Sequence, residues 1–349
     1  MLGLMIKSSL IAACLLSMTA ICSSENSAPS TEITNGSVRI RLYLPDARNG
    51  FYRGTRFDWS GVISSAQYAG HDFFPQWFQR SDPKVGDFIY SGSDIVAGPC
   101  TAITGPSGEF VTDGSALGFD EAQPGGTFIK IGVGVLRKPD AAKYDMFRLY
   151  EIVDAGKWTV RQDSNSVEFR QELSDPSLGY GYDYRKTVSL TKDKPQLVLD
   201  HHLRNTGRRP LRSSVYNHNF LYLDRQPPGP DTSITLPFAI QAAPAPDQQL
   251  AEVRGNQILF RKTLTGEERV YFAISGFGST PSDYDVRIEN RQAAVGLRIT
   301  ADRPLSRMAL WSIRAPLAVE PFLDMNIPPG AEFTWRIKYD FYKLPATAR

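Results

Sequence analysis

Several things are scarce in this chain, and each scarcity excludes something. The 349 residues hold only 3 Cys, and Cys100 alone lies beyond Cys22. If an N-terminal leader is removed after Cys22, no intramolecular disulfide can form. A thiolate zinc site is also excluded, because it needs several clustered ligands. Cys100 reads as a small buried hydrophobe. Histidine is nearly as rare, with only His71, His201, His202 and His218. They form no His-Glu-x-x-His and no closely spaced metal pair, and the chain has no phosphate-binding loop. Gly125-Gly126 and Gly132-x-Gly134 lie in or beside a strand pattern and open no helix, so they are no phosphate cradle. Gly-x-Ser-x-Gly is absent, which removes the simplest serine-hydrolase signal. Charge of one sign is not in excess: 39 Lys and Arg face 37 Asp and Glu, for a net +2. The basic residues are scattered, which argues against a nucleic-acid partner or a membrane-binding stripe. Helical periodicity is scarce too, with no sustained heptads and no short internal repeat.

Composition is otherwise that of an ordinary globular protein, 42% hydrophobic and 22% charged. The N-terminus carries a processing signal. Lys7 precedes an uncharged run from Ser8 to Ile21, short of the about 20 apolar residues a membrane span needs. A polar Ser/Asn/Pro stretch follows. This is the layout of a secretory signal peptide over residues 1–24 with a disordered linker over 25–36. Cleavage would fall near Cys22–Glu25. A lipid anchor is the rival reading, since Ile11-Ala12-Ala13-Cys14 resembles a lipobox. Either way the chain is expected to be exported, periplasmic or secreted.

From residue 37 to 345 the pattern is strand, turn, strand. Ser37–Leu44 alternates with period two, as a half-buried strand does. Similar stretches are Phe128–Leu136, Trp158–Gln162, Ser166–Glu172, Tyr182–Leu190, Leu197–Leu203, Ser213–Leu221, Gln257–Phe260, Arg269–Ser275, Ala294–Ile299, Arg307–Ile313 and Phe333–Tyr342. Turn residues separate them, Asn205-Thr206-Gly207 among them. Short helices are expected near Phe74–Phe78 and Ala141–Phe147. The fold class is therefore all-β: one large antiparallel β-sandwich with few short helices.

Two distant segments carry the chemistry: Val215-Tyr216-Asn217-His218-Asn219-Phe220, and Ala318-Val319-Glu320-Pro321 with Ile327-Pro328-Pro329-Gly330 before the last strand. In these segments the sequence resembles the galactose mutarotase (aldose 1-epimerase) superfamily. There a strand ending Asn-His-x-x-Phe presents an acid histidine, and a short strand ending in a base glutamate precedes a Pro-Gly turn. Gly54-Thr55-Arg56-Phe57-Asp58-Trp59-Ser60-Gly61 looks like the family's early Gly-x-Arg strand. Asp200–Gly207 looks like the strand and turn before the histidine strand. The resemblance implies a galactose mutarotase-like supersandwich and an isomerase that interconverts sugar anomers. His218 would be the acid and Glu320 the base, with no metal or organic cofactor required.

The family's second histidine, in an Asn-x-x-His-Gly-Gly-like segment, is missing. The corresponding stretch reads Gly105-Pro106-Ser107-Gly108-Glu109-Phe110. His71 is a candidate substitute, with an idle loop histidine as the competing reading. His202 and His201 lie on opposite faces of one strand, and either could face the sandwich interior; His202 is a candidate for binding substrate. Arg56 could hold sugar hydroxyls or simply pair with Asp58 on the surface. Asn217 is a polar candidate that alternates with His218, and Trp311 could stack on a sugar or be core. His218 competes with a core histidine under a Tyr/Phe cluster, and Glu320 with a salt bridge to Arg314 or Arg307. The expected partner is a sugar or glycan. Three functions remain open: an epimerase-like enzyme, an exported carbohydrate-binding or polysaccharide-processing (lyase- or hydrolase-like) protein, and a noncatalytic envelope protein.

Overall fold

The computed structural model describes residues 28–345. The segment read as a signal peptide lies outside them. Ten strands form one antiparallel sheet, in the order Lys157–Gln162, Ser166–Asp175, Tyr180–Leu190, Gln196–Asn205, Glu332–Lys343, Val295–Ala301, Asp285–Asn290, Thr232–Thr235, Gln257–Phe260, Ala251–Arg254. Six form the facing sheet: Gln241–Ala243, Val270–Ser275, Arg307–Ser312, Leu317–Ile327, Leu211–Phe220, Gly105–Val111. Alternation explains the sandwich. In Glu332–Lys343, Trp335, Ile337, Tyr339 and Phe341 are buried in the large core. In Leu317–Ile327, Leu317, Val319, Leu323, Met325 and Ile327 meet them from the other side.

The six-stranded sheet is covered on its second face as well. Phe220, Ile313 and Trp311 pack there against Tyr52, Phe57, Trp59, Trp77, Phe119 and Phe128. This third layer is built from irregular segments and two small sheets.

Several expectations are corrected. Ser30–Thr34 is a strand, not linker, because Ile33 buries its side chain and the segment pairs with Val38–Tyr43. Phe128–Leu136 is not one strand but a hairpin of Thr127–Lys130 and Gly134–Arg137, turned at Gly132 with φ +80°. Neither short helix forms. Pro75 interrupts Phe74–Phe78, whose rings are drawn into the two cores. In 141–147, the Asp140 and Asp145 carboxylates accept backbone N–H bonds two residues on, a local alternative to helix. Among the described residues only two 3-10 turns occur, Leu223–Arg225 and Pro281–Asp283. Residues 51–60 contain no strand either. They are fixed by hydrogen bonds such as Asp58 N–H to the Gly108 carbonyl and Trp59 N–H to the Gly132 carbonyl.

Candidate functional site

The histidine strand Leu211–Phe220 lies between Gly105–Val111 and the glutamate strand Leu317–Ile327. Tyr216 pairs with Phe322 across the second ladder. Two residues further on, the period-two pleat brings His218 opposite Glu320 on the face away from the large core. There His218 Nε2 lies 3.0 Å from Glu320 Oε1, with side chains only 7% and 13% exposed. The rivals for Glu320 are engaged elsewhere. Arg314 donates to the carbonyls of Gly92, Ser93 and Asp94, and Arg307 lies 4.4 Å over the Phe322 ring.

Aromatic rings wall this pair. Phe220 stacks on the imidazole at 3.8 Å, Trp311 meets it edge-on at 5.2 Å and Phe57 at 6.1 Å. His218 Nδ1 is buried without a hydrogen-bond partner, an unusual condition for a ring nitrogen. The pair therefore sets a carboxylate and an imidazole side by side against an aromatic wall.

Beside it lies a charged network that the sequence did not reveal. Arg56 Nε donates to Glu109 Oε2 at 2.7 Å, and Arg56 also donates to the Tyr216 hydroxyl at 3.0 Å. The Tyr216 hydroxyl donates to Glu109 at 2.6 Å, and Lys130 Nζ reaches its other oxygen at 3.1 Å. Burial alone would push the Glu109 carboxyl up, but Lys130 and Arg56 outweigh it and hold it at about 2. Arg56 is thus not paired with Asp58, and neither residue is on the surface. Asp58 is buried near Lys186, 3.7 Å away, and accepts from Ser60 and Tyr184. Glu109 carried the same signal as Glu320, a carboxylate in an otherwise apolar or small-residue strand. Asp87 also belongs to this neighbourhood. Burial pushes its carboxyl up, against Arg56, the Thr101 hydroxyl, His218 and Arg269.

Of the seven sequence candidates, the structure brings His218, Glu320 and Trp311 together, with Arg56 joined through Tyr216. The other three are elsewhere. Asn217 points into the sandwich and donates to the Tyr339 hydroxyl at 3.0 Å, because alternation turns it away from His218. His202 lies on the outer face of the ten-stranded sheet, 2.8 Å from Glu332; its neighbour His201 takes the interior, stacked on Trp335 at 4.4 Å. His71 sits 2.6 Å from Asp224 in a separate cavity lined by neither His218 nor Glu320. The position across from His218 on the neighbouring strand is Ser107, whose hydroxyl donates to the Thr104 carbonyl.

No protein-family model matches the sequence, and no curated protein does. Solved structures do match. An aldose epimerase homologue from C. elegans is 14% identical with a TM-score of 0.52, covering 91% of this chain and 100% of its own. A galactose mutarotase-like protein from Lactobacillus casei is 13% identical, TM-score 0.51, covering 90% and 100%. A galactose mutarotase related enzyme from Lactobacillus acidophilus is 10% identical, TM-score 0.51, covering 92% and 99%. At these identities the likeness shows the fold: the chain has the galactose mutarotase-like sandwich.

Proposed function

We propose that this protein acts on a carbohydrate at His218 and Glu320, interconverting the anomers of a sugar as an aldose 1-epimerase does. The observation that carries the reading is the 3.0 Å His218–Glu320 pair on the covered face of the six-stranded sheet. Ring opening needs a base at the anomeric hydroxyl and an acid at the ring oxygen. A sugar ring entering between the two side chains would replace their mutual contact. Glu320 takes the hydroxyl proton, His218 gives a proton to the ring oxygen, and the bond between that oxygen and the anomeric carbon breaks. The open-chain aldehyde turns about one bond. It recloses when His218 takes its proton back from the hydroxyl that attacks and Glu320 returns its own to the new anomeric hydroxyl. Trp311 and Phe57 supply apolar walls suited to a sugar face. Positioned acid–base groups contribute about 100- to 10,000-fold, so Glu320→Gln and His218→Ala should each slow anomer exchange by at least about 100-fold. Polarimetry on freshly dissolved aldoses reads this. Equal rates in wild type and both variants would sink the epimerase reading.

One observation favours a second reading, a carbohydrate-binding protein that has given up the reaction. Ser107 stands beside His218 where a second histidine would assist. Binding on a glycan array without exchange of any aldose would support it.

The sequence pattern of a leader over residues 1–24 supports a site of action outside the cytoplasm. Mass analysis of the mature protein should find residues 1–24 removed; a cytoplasmic chain retaining Lys7 would contradict export.

A further inference from the structure

The third layer carries a cleft of its own, and neither His218 nor Glu320 lines it. Four segments meet there, within residues 47–54, 76–83, 99–102 and 149–152. Its volume is about 700 Å³, inside the range of about 300–1,000 Å³ that small-ligand sites occupy. Among the residues that line it, Arg53 and Arg80 carry charge, and no Asp or Glu joins them. Neither guanidinium is closely neutralised. Arg53 donates to the Arg48 carbonyl at 2.9 Å. Arg80 lies 3.6 Å from Asp82, beyond hydrogen-bond distance, with its side chain 54% exposed. Such an exposed pair contributes little. Two guanidinium groups in one acid-free cleft repel each other. A carboxylate relieves that repulsion and accepts two parallel bonds from a single guanidinium.

Two side-chain amides stand in the same lining, each fixed at one end. Gln76 Nε2 donates to the Phe78 carbonyl at 2.8 Å, and Gln79 Oε1 accepts the Ile95 N–H at 2.6 Å. Gln76 thus keeps an acceptor oxygen for a ligand, and Gln79 keeps a donor N–H₂. Apolar surface completes the cleft. Phe51 and Phe78 lie 6.5 Å apart, and Leu149 is 50% exposed. We infer that this cleft binds an acidic saccharide, a sugar whose ring bears a carboxylate. Arg53 and Arg80 hold the carboxylate. Hydroxyl groups, which both donate and accept, meet Gln76 and Gln79. The C–H face of the ring lies on Phe51 and Leu149. An acyl carboxylate would leave both amides unused, and a neutral sugar would leave both guanidinium groups unused. The site stands apart from His218 and Glu320 and does not depend on the chemistry proposed there.

Calorimetric titration of the purified protein with galacturonate and glucuronate trimers, and with their methyl esters, tests this. One of the two acids should bind at least about tenfold more tightly than its ester, as the loss of a charge-assisted bond implies. Arg53→Gln and Arg80→Gln should each bring the acid down to the affinity of the ester, with Tm unchanged because both side chains are exposed. Gln76→Ala should weaken acid and ester alike. Rising salt should weaken the acid alone. Equal binding of acid and ester, no binding of either acid, or wild-type affinity in both Arg variants would overturn the inference. Inorganic phosphate binding as tightly as the uronate would overturn it too, since that result marks a bare anion site. Glu320→Gln should bind the uronate as wild type does; loss of binding there would move the acid to the His218–Glu320 pair and contradict a separate cleft. Anomer exchange measured on Arg80→Gln keeps the two readings distinct: unchanged exchange with lost uronate binding supports both, while uronate binding without any exchange sinks the epimerase chemistry alone.

Discussion

Glu109 is a carboxylate held between Arg56, Lys130 and Tyr216 with almost no solvent contact. Removing its charge would strand two buried cations, which costs about 3–5 kcal/mol. Glu109→Gln should therefore lower unfolding stability by that amount in urea titrations, and free Arg56 and Tyr216 from the geometry they hold beside His218. The carboxyl is held at about 2 against an ordinary 4.5. Its contribution is thus complete above pH 4.5 and is lost as pH falls toward 2. His201 works in a different window. Burial, with Lys186 adding, holds its imidazole well below the ordinary 6.5. The unfolded chain takes up that proton below pH 6.5 and the folded one does not, so stability falls as pH drops below 6.5. His201→Phe keeps a ring against Trp335. It should flatten the dependence of stability on pH between 5 and 6.5 by up to about 1.4 kcal/mol per pH unit. An unchanged slope would show that His201 is not the group titrating.

Among the elements, the hairpin after Thr127 ties the third layer to the buried charges. Gly132 turns it at φ +80°, and a Cβ there would lie 2.7 Å from Asp58 Oδ1. Gly132→Ala combines backbone strain with that clash and should cost about 2 kcal/mol or more, read as a lowered Tm. The sequence made long strands legible and short turns much less so. Tyr182–Leu190 and Leu197–Leu203 alternate cleanly because one face of each packs against the other sheet. Phe128–Leu136 reads as one strand because Gly132 and Gly134 do not interrupt its apolar character. Gly105–Val111 carries no strand pattern, as its side chains are small and both faces are covered. The site was half legible on the same grounds. His218 and Glu320 stand out as polar residues in apolar strands. The Arg56–Glu109 pairing joins residues 53 positions apart through an irregular segment, and no local pattern encodes it. Which of His201 and His202 faces inward is not legible, because either parity of their strand satisfies the alternation.

On the scale of the whole molecule, the six-stranded sheet serves two layers at once. One face closes the large core; the other carries His218 and Glu320 beneath the segments that bear Phe57, Trp77 and Phe128. That arrangement sets the His218–Glu320 pair at the boundary between the sheet and the third layer, with side chains only 7% and 13% exposed. Trp311 stands at the boundary, so Trp311→Ala should weaken sugar binding by about tenfold while the large core, on the opposite face, keeps its cooperative unfolding. The most direct measurement is exchange NMR between the α and β anomers of the aldose that binds best, with wild type and Glu320→Gln at equal concentration. Cross-peaks that grow with wild-type protein and fall by at least about 100-fold in the variant are the predicted result. Exchange in the wild type no faster than in buffer, for every sugar that binds, would contradict the account.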